Sequence, residues 1–196
     1  ARSELQYAAY VEQVFAAGRW DFRTGLRYDF DGFSDDGYLS PRLSANFRVS
    51  PTTRVAMTAG TFYQSPRFLD RAADAANFGL ANEKTNHVSL GVNRRVGTNW
   101  DVLVEAYYQQ LSDLVTAPDA VTGLAGNAGE GTSYGLDVVV NRRFADAWSA
   151  NAVYSYNNAS LNDNDGSGDY DAPFNYEHIL SLGAKWEISE RWLVGF

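Results

Sequence analysis

Hydrophobic and polar residues alternate with a period of two along almost the whole chain. Between Trp20 and Asp31, one set reads Trp20, Phe22, Thr24, Leu26, Tyr28 and Phe30, and the other Asp21, Arg23, Gly25, Arg27, Asp29 and Asp31. Successive side chains of a strand point to opposite faces, so one face here is apolar and aromatic while the other carries five charges. Leu39, Leu43, Phe47 and Val49 oppose Ser40, Arg42, Arg48 and Ser50 in the same way, and Trp100, Val104 and Tyr108 oppose Asp101, Glu105 and Gln109. The pattern predicts strands at about 4–16, 20–30, 39–49, 54–62, 84–96, 100–111, 132–144, 148–158, 175–188 and 192–196. A short helix fits only near Leu69 to Ala76. Connections at 17–19, 50–53, 97–99, 145–147 and 189–191 are short, and those at 31–38, 63–83, 112–131 and 159–174 are long. That alternation is the organisation of an antiparallel up-and-down meander. Pro41, near the expected start of its strand, stands where a missing donor is tolerated.

Three features favour a membrane barrel over a soluble sandwich. The expected strands mostly run 9–13 residues, against about 5–6 for a globular strand and about 9–11 for a tilted membrane strand. Aromatic residues bracket the apolar face: Trp20, Trp100, Trp148 and Trp192 open strands after short turns, and Tyr28, Tyr108, Tyr154 and Tyr156 follow six to eight residues later on the same faces. Eight residues in a strand tilted by about 40° rise roughly 20 Å, near the height of the apolar band between two aromatic girdles. Trp20, Tyr28, Trp100, Tyr108, Trp148, Tyr154 and Trp186 are therefore the expected girdle. The opposite face is too charged for a sandwich core and suits a wet lumen, lined by Arg23, Arg27, Asp29, Arg42, Arg48, Asp137 and Lys185.

Composition narrows this further. The 196 residues carry a net charge of −8 and no cysteine, which argues against nucleic-acid binding and removes disulfides and thiolate chemistry. No apolar run reaches transmembrane-helix length, and the first residues have no signal-peptide core. With their flanks, the long loops hold 14 acidic and 3 basic residues, whereas arginines gather near the short turns. Long loops of outer-membrane barrels face the exterior, so the acidic end is the expected outer rim.

Candidate chemistry is sparse. His87 and His178 fall on opposite faces by alternation, and no serine is placed beside either to build a triad. Two separated histidines fall short of a zinc set. The stretch Asp163, Asp165, Ser167, Gly168 matches the start of a calcium loop, but its twelfth position is Phe174, which supplies no carboxylate. Gly123, Gly126, Gly129 and Gly131 lack the strand-to-helix setting of a phosphate cradle. No catalytic, cofactor or metal site is assigned, and an enzyme is not expected.

Several runs, in order, resemble barrel segments of TonB-dependent outer-membrane receptors. They are Tyr7-Ala-Ala-Tyr10 with Trp20-Asp-Phe-Arg-Thr-Gly25-Leu26-Arg27-Tyr28-Asp29, Leu39-Ser-Pro41-Arg42, Gly60-Thr-Phe62-Tyr63-Gln-Ser-Pro66, Glu83-Lys84-Thr-Asn-His87 with Tyr107-Tyr108 and Asp113-Leu114, Asn127-Ala-Gly129-Glu-Gly131-Thr-Ser-Tyr134-Gly135-Leu136-Asp137, and Phe174-Asn-Tyr-Glu-His178. The resemblance implies a 22-strand barrel in the bacterial outer membrane, filled by a plug domain. It also implies uptake of a scarce nutrient, such as a siderophore or other large solute, driven by the inner-membrane TonB complex. Against that pattern residues 1–196 read as a fragment of the barrel's C-terminal half, without plug or last strands. Two other readings use the same residues: a complete ten-strand outer-membrane barrel, porin-like or a hydrolase, and a soluble ligand-binding β domain.

Overall fold

The computed structural model describes residues 5–119, 122–145, 147–173 and 175–196. Four expectations touch residues outside these: the first strand's start at residue 4, Ala120 and Val121 in the long connection 112–131, Asp146 in a short connection, and Phe174 in the calcium-like loop and the last family-like run. The described residues form β1 (Gln6–Ala17), β2 (Trp20–Asp31), β3 (Asp36–Ser50), β4 (Thr53–Gln64), β5 (Glu83–Val96), β6 (Trp100–Leu114), β7 (Gly129–Ala145), β8 (Trp148–Asn162), β9 (Tyr170–Asp171), β10 (His178–Ser189) and β11 (Trp192–Gly195). All belong to one antiparallel sheet in the order β1-β2-β3-β4-β5-β6-β7-β8-β10-β11, and the two-residue β9 pairs with β8 beside this path. Within the β4–β5 loop lie a one-turn helix, α1 (Phe68–Ala72), and a 3₁₀ turn (Ala75–Gly79). The latter is capped by the Asp74 carboxylate, which accepts from the Ala76 N–H at 2.8 Å.

Every pair along this path joins strands consecutive in sequence, except that the two-residue β9 lies between β8 and β10, so register follows from the short turns and the alternation. Gly18 and Gly97 take positive φ in two of those turns, a conformation that suits glycine. Irregularities mark other strand ends, at Arg48/Ser50, Arg143/Ala145 and Glu187/Ser189.

The strands run further toward the long loops than alternation indicates: β3 begins at Asp36, β6 reaches Leu114 and β8 reaches Asn162. These extensions mix polar residues with Tyr38, Leu114, Ala159 and Leu161 out of phase with the apolar face, so the ladder continues where the alternation has stopped. Pro41 is consequently the sixth residue of β3 and not near its start. The β3–β4 ladder begins one residue later, at Arg42↔Gly60, so the imino nitrogen sits at the ladder's end.

The sheet is a single layer. Its buried apolar residues are few (Tyr38, Ala45, Leu80, Ala159 and Ala172), while Val11 is 66% exposed, Leu90 52% and Leu182 72%. A soluble sandwich would bury such side chains between two layers. Here they form one continuous uncovered face, as in a barrel wall meant for lipid.

Candidate functional site

Cross-strand pairing assigns each side chain to a face, because paired residues lie on the same side. Trp20 pairs with Phe47, Tyr28 with Leu39, Tyr108 with Tyr134, Tyr154 with Leu180 and Trp148 with Trp186. All seven expected girdle residues thus share the apolar face. Their rings meet: Trp20 lies 4.6 Å from Phe47, Trp148 and Trp186 stack at 4.9 Å, and the Tyr154 hydroxyl is 2.9 Å from His178 Nδ1.

The seven residues expected to line a lumen share the other face. Arg23 is 3.4 Å from Glu12. Arg27 and Asp29, two residues apart on β2, form a bidentate pair at 2.6–3.0 Å. Arg48 reaches Asp21 at 3.7 Å and Lys185 reaches Glu187 at 3.8 Å. Such exposed pairs contribute about 0–1 kcal/mol each. Asp137 stands directly opposite Glu105, a like-charge pair with no cation in ion-pair contact among the described residues. The polar face is also the hollow one. An open concavity of about 870 Å³ runs along its short-turn end between Arg95, Asp101, Arg143, Asn151 and Lys185.

A band across this face joins six consecutive strands, β3 to β8. The Arg42 guanidinium lies 4.7 Å over the Phe62 ring, and Phe62 meets the His87 ring edge-on at 6.4 Å. His87 stacks with Tyr107 at 6.4 Å, with its Nδ1 3.1 Å from Gln109 Nε2. The Tyr107 and Ser133 hydroxyls both donate to Asn157 Oδ1 at 3.0 Å. Gly135 makes room for this, since a Cβ there would collide with the Tyr107 hydroxyl and the Tyr156 carbonyl. Alternation places the two histidines on opposite faces, and the structure agrees. It is silent in sequence on the band, because each strand contributes only one or two members some twenty residues apart.

The long-loop end holds a second arrangement that pattern reading missed. Asp31 and Arg71, 40 residues apart, form a buried ion pair at 2.7 Å. Asp31 also accepts from the Phe33 N–H at 3.0 Å and the Ser65 hydroxyl at 3.3 Å. Arg71 donates to the Leu80 carbonyl at 3.3 Å and stacks 5.1 Å from the Phe33 ring. Asn127 accepts from the Ala81 N–H at 2.8 Å and donates to the carbonyls of Ala81 (3.1 Å) and Asp113 (2.8 Å). Asn77 accepts from the Ala125 N–H at 3.2 Å. The β2–β3, β4–β5 and β6–β7 loops are thereby joined into one rim.

The β8–β10 loop is built differently. Its oxygens turn onto the loop's own donors: Asp163 accepts from the Tyr170 hydroxyl at 2.9 Å, Asp165 from the Ser167 N–H at 2.8 Å, and Asp169 from Asn162 at 2.7 Å. Hydrogen bonds from Ser167 hold the Asp165 carboxyl below the usual carboxylate range, while Asp163 pushes the Tyr170 phenol up. Among the described residues no group of three or more histidine, aspartate or glutamate side chains converges as a metal site.

A family model described as TonB dependent receptor-like, beta-barrel matches residues 2–196. Comparison with curated proteins returns no match. Among solved structures, the FrpB iron transporter from Neisseria meningitidis superposes with a TM-score of 0.72 at 16% identity, covering 92% of this chain and 30% of that one. The ferric-catecholate import receptor Fiu from Escherichia coli gives 0.75 at 14% identity, covering 97% and 33%. The ferric yersiniabactin uptake receptor FyuA from Yersinia pestis gives 0.69 at 17% identity, covering 95% and 32%. The chain spans about a third of the length of these structures.

Proposed function

Since the chain belongs to the TonB-dependent receptor-like β-barrel family, a family of outer-membrane receptors and transporters rather than enzymes, we propose that it is part of the barrel wall of a receptor for energised uptake of a scarce nutrient. The observation that carries this reading is the single-layer sheet with one uncovered apolar face and one hollow polar face. In this reading Trp20, Tyr28, Trp100, Tyr108, Trp148, Tyr154 and Trp186 meet the two membrane interfaces. Arg23, Arg27, Asp29, Arg42, Arg48, Asp137 and Lys185 face the lumen.

A plug domain is the natural partner of the polar face. Glu105 and Asp137 repel one another across β6 and β7, and a cation presented from the lumen side relieves that repulsion. The rim joined by Asp31–Arg71 and Asn127 gives the outer opening a fixed edge against which a solute can be held. Residues 1–196 form one segment of the barrel domain, with plug and remaining strands supplied by the rest of the receptor. The solute is a siderophore or another large molecule, in line with the iron-related names of three matched structures. The inner-membrane TonB complex supplies the energy.

Disrupting the reading frame that holds this chain tests the proposal in the cell. Uptake of one scarce solute should fall to background, with growth on rich medium unchanged, and loss of the TonB complex should have the same effect. Uptake that persists without the TonB complex would overturn the energised reading.

A further inference from the structure

The arginines of the polar face are held in two ways, several by carboxylates and Arg42 by the Phe62 ring. On the polar face Arg23, Arg27, Arg48 and Arg95 each lie 2.6 to 3.7 Å from a carboxylate. Arg142 of β7 stands on the apolar face, directly opposite Trp100. It has no carboxylate or hydrogen-bond acceptor among the described residues, and its Nε is buried and unpaired. Two aromatic rings hold it instead. The guanidinium carbon lies 4.4 Å from the centre of the Trp100 ring and 4.3 Å from that of Phe144.

Trp100 opens β6 and Phe144 is the last but one residue of β7, so this clamp sits at the short-turn end of the apolar face. Arg94 of β5, on the same face opposite Val102, is a second cation without a carboxylate there. A guanidinium held at the edge of the hydrocarbon cannot be solvated as it is in water, and it needs a counter-charge at that depth. Headgroup phosphates occupy that depth, beside the aromatic girdle. The guanidinium fork matches a phosphate in bidentate fashion. Ring stacking fixes its plane in advance, so less side-chain freedom is lost on binding.

We propose that Arg142, clamped between Trp100 and Phe144, binds the phosphodiester headgroup of an anionic phospholipid in the periplasmic leaflet, with Arg94 as the second cation. This rests on the apolar face being the lipid-facing one, and the experiment separates the two claims. The delipidated receptor in detergent is titrated with phosphatidylglycerol and, separately, with inorganic phosphate, and bound ligand is read by native mass spectrometry. Heat-modifiable migration reports folding of each variant.

Arg142→Gln should weaken phosphatidylglycerol binding by about ten- to a hundredfold, and Arg142→Lys by less, because the ammonium keeps the charge and loses the planar fork. Arg42→Gln, which removes a ring-stacked arginine from the polar face, should leave lipid binding unchanged. Equal binding by wild type and folded Arg142→Gln would overturn the site while leaving the face assignment intact. Loss of lipid in Arg42→Gln and not in Arg142→Gln would overturn both. Inorganic phosphate binding as tightly as the lipid would overturn a lipid site in favour of a free-anion one.

Discussion

The wall and the rim of this sheet are held by opposite means. In the wall, stability comes from a long ladder and from two faces matched to two media, and nearly every side chain stays uncovered. In the rim, a few polar side chains do the holding: buried Asp31 with Arg71, buried Asn77, and half-buried Asn127. The wall therefore tolerates exchange of one polar residue for another but not a change of face. The rim tolerates neither loss nor neutralisation of a single partner. The contrast extends to the loops themselves, for the β4–β5 loop is bonded to its neighbours while the β8–β10 loop is bonded mainly to itself.

The rim should give the largest response. Arg71→Ala leaves Asp31 buried without its cation, at a cost of about 3–5 kcal/mol to local stability. Hydrogen exchange at Ala81 and Asn82 should then accelerate strongly, and unchanged protection there would show that the ion pair is not what orders the loop. In the wall, Leu26→Arg or Val104→Arg should cost about 2–4 kcal/mol in equilibrium unfolding from lipid, while Arg27→Leu costs no more than its exposed ion pair, about 1 kcal/mol. A more damaging Arg27→Leu would reverse the assignment of the faces.

Asn127→Ala removes two hydrogen bonds to the β4–β5 loop and one to Asp113 within its own connection, for about 1–3 kcal/mol, and should expose residues 113–119 and 122–128 to exchange without affecting β4. Limited proteolysis sharpens the comparison of the loops. Externally added protease should cut residues 163–169 first and spare 65–82, although both segments are rich in loop-forming residues. Preferential cutting at 65–82 would place both loops in one class. Acid should have the smallest effect. Because the Asp165 carboxyl titrates below the usual range, the turn it forms with Ser167 is fully supported above that range. That support is lost only as pH falls through the lowered value. Chemical shifts of the Ser167 amide between neutral and acidic pH measure it.

Legibility in the sequence followed the same division. Period two located nine long strands and the four-residue β11, because one side of the sheet is apolar and the other polar. Strand ends escaped it: Asp36, Gly37 and Tyr38 extend β3 where the aromatic Tyr38 stands next to Leu39, out of phase with the apolar face. The rim escaped it as well. Asp31, Arg71, Asn77 and Asn127 are the residue types of any solvated loop, and only the fold brings them within hydrogen-bond distance. Nothing in the sequence of residues 63–83 and 112–131 sets them apart from solvated loops such as 159–174. His87 was placed on the correct face, but its partners Phe62, Tyr107 and Gln109 come from neighbouring strands that no local window spans.

The pairing that aligns the faces also shifts steadily from strand to strand. Trp20 is the first residue of β2, and from it the pairs run through Phe47, Val55, Val92, Val104, Val138 and Tyr154 to Leu180. Leu180 lies nine residues short of Ser189, the turn end of β10. Nine residues along a strand are roughly 30 Å, against roughly 34 Å across seven strand spacings, a slope of about 40°. Neighbours in the ladder are thus never quite at the same depth. A line of paired side chains that begins at the periplasmic surface ends near the cell exterior, climbing around the lumen as a ramp.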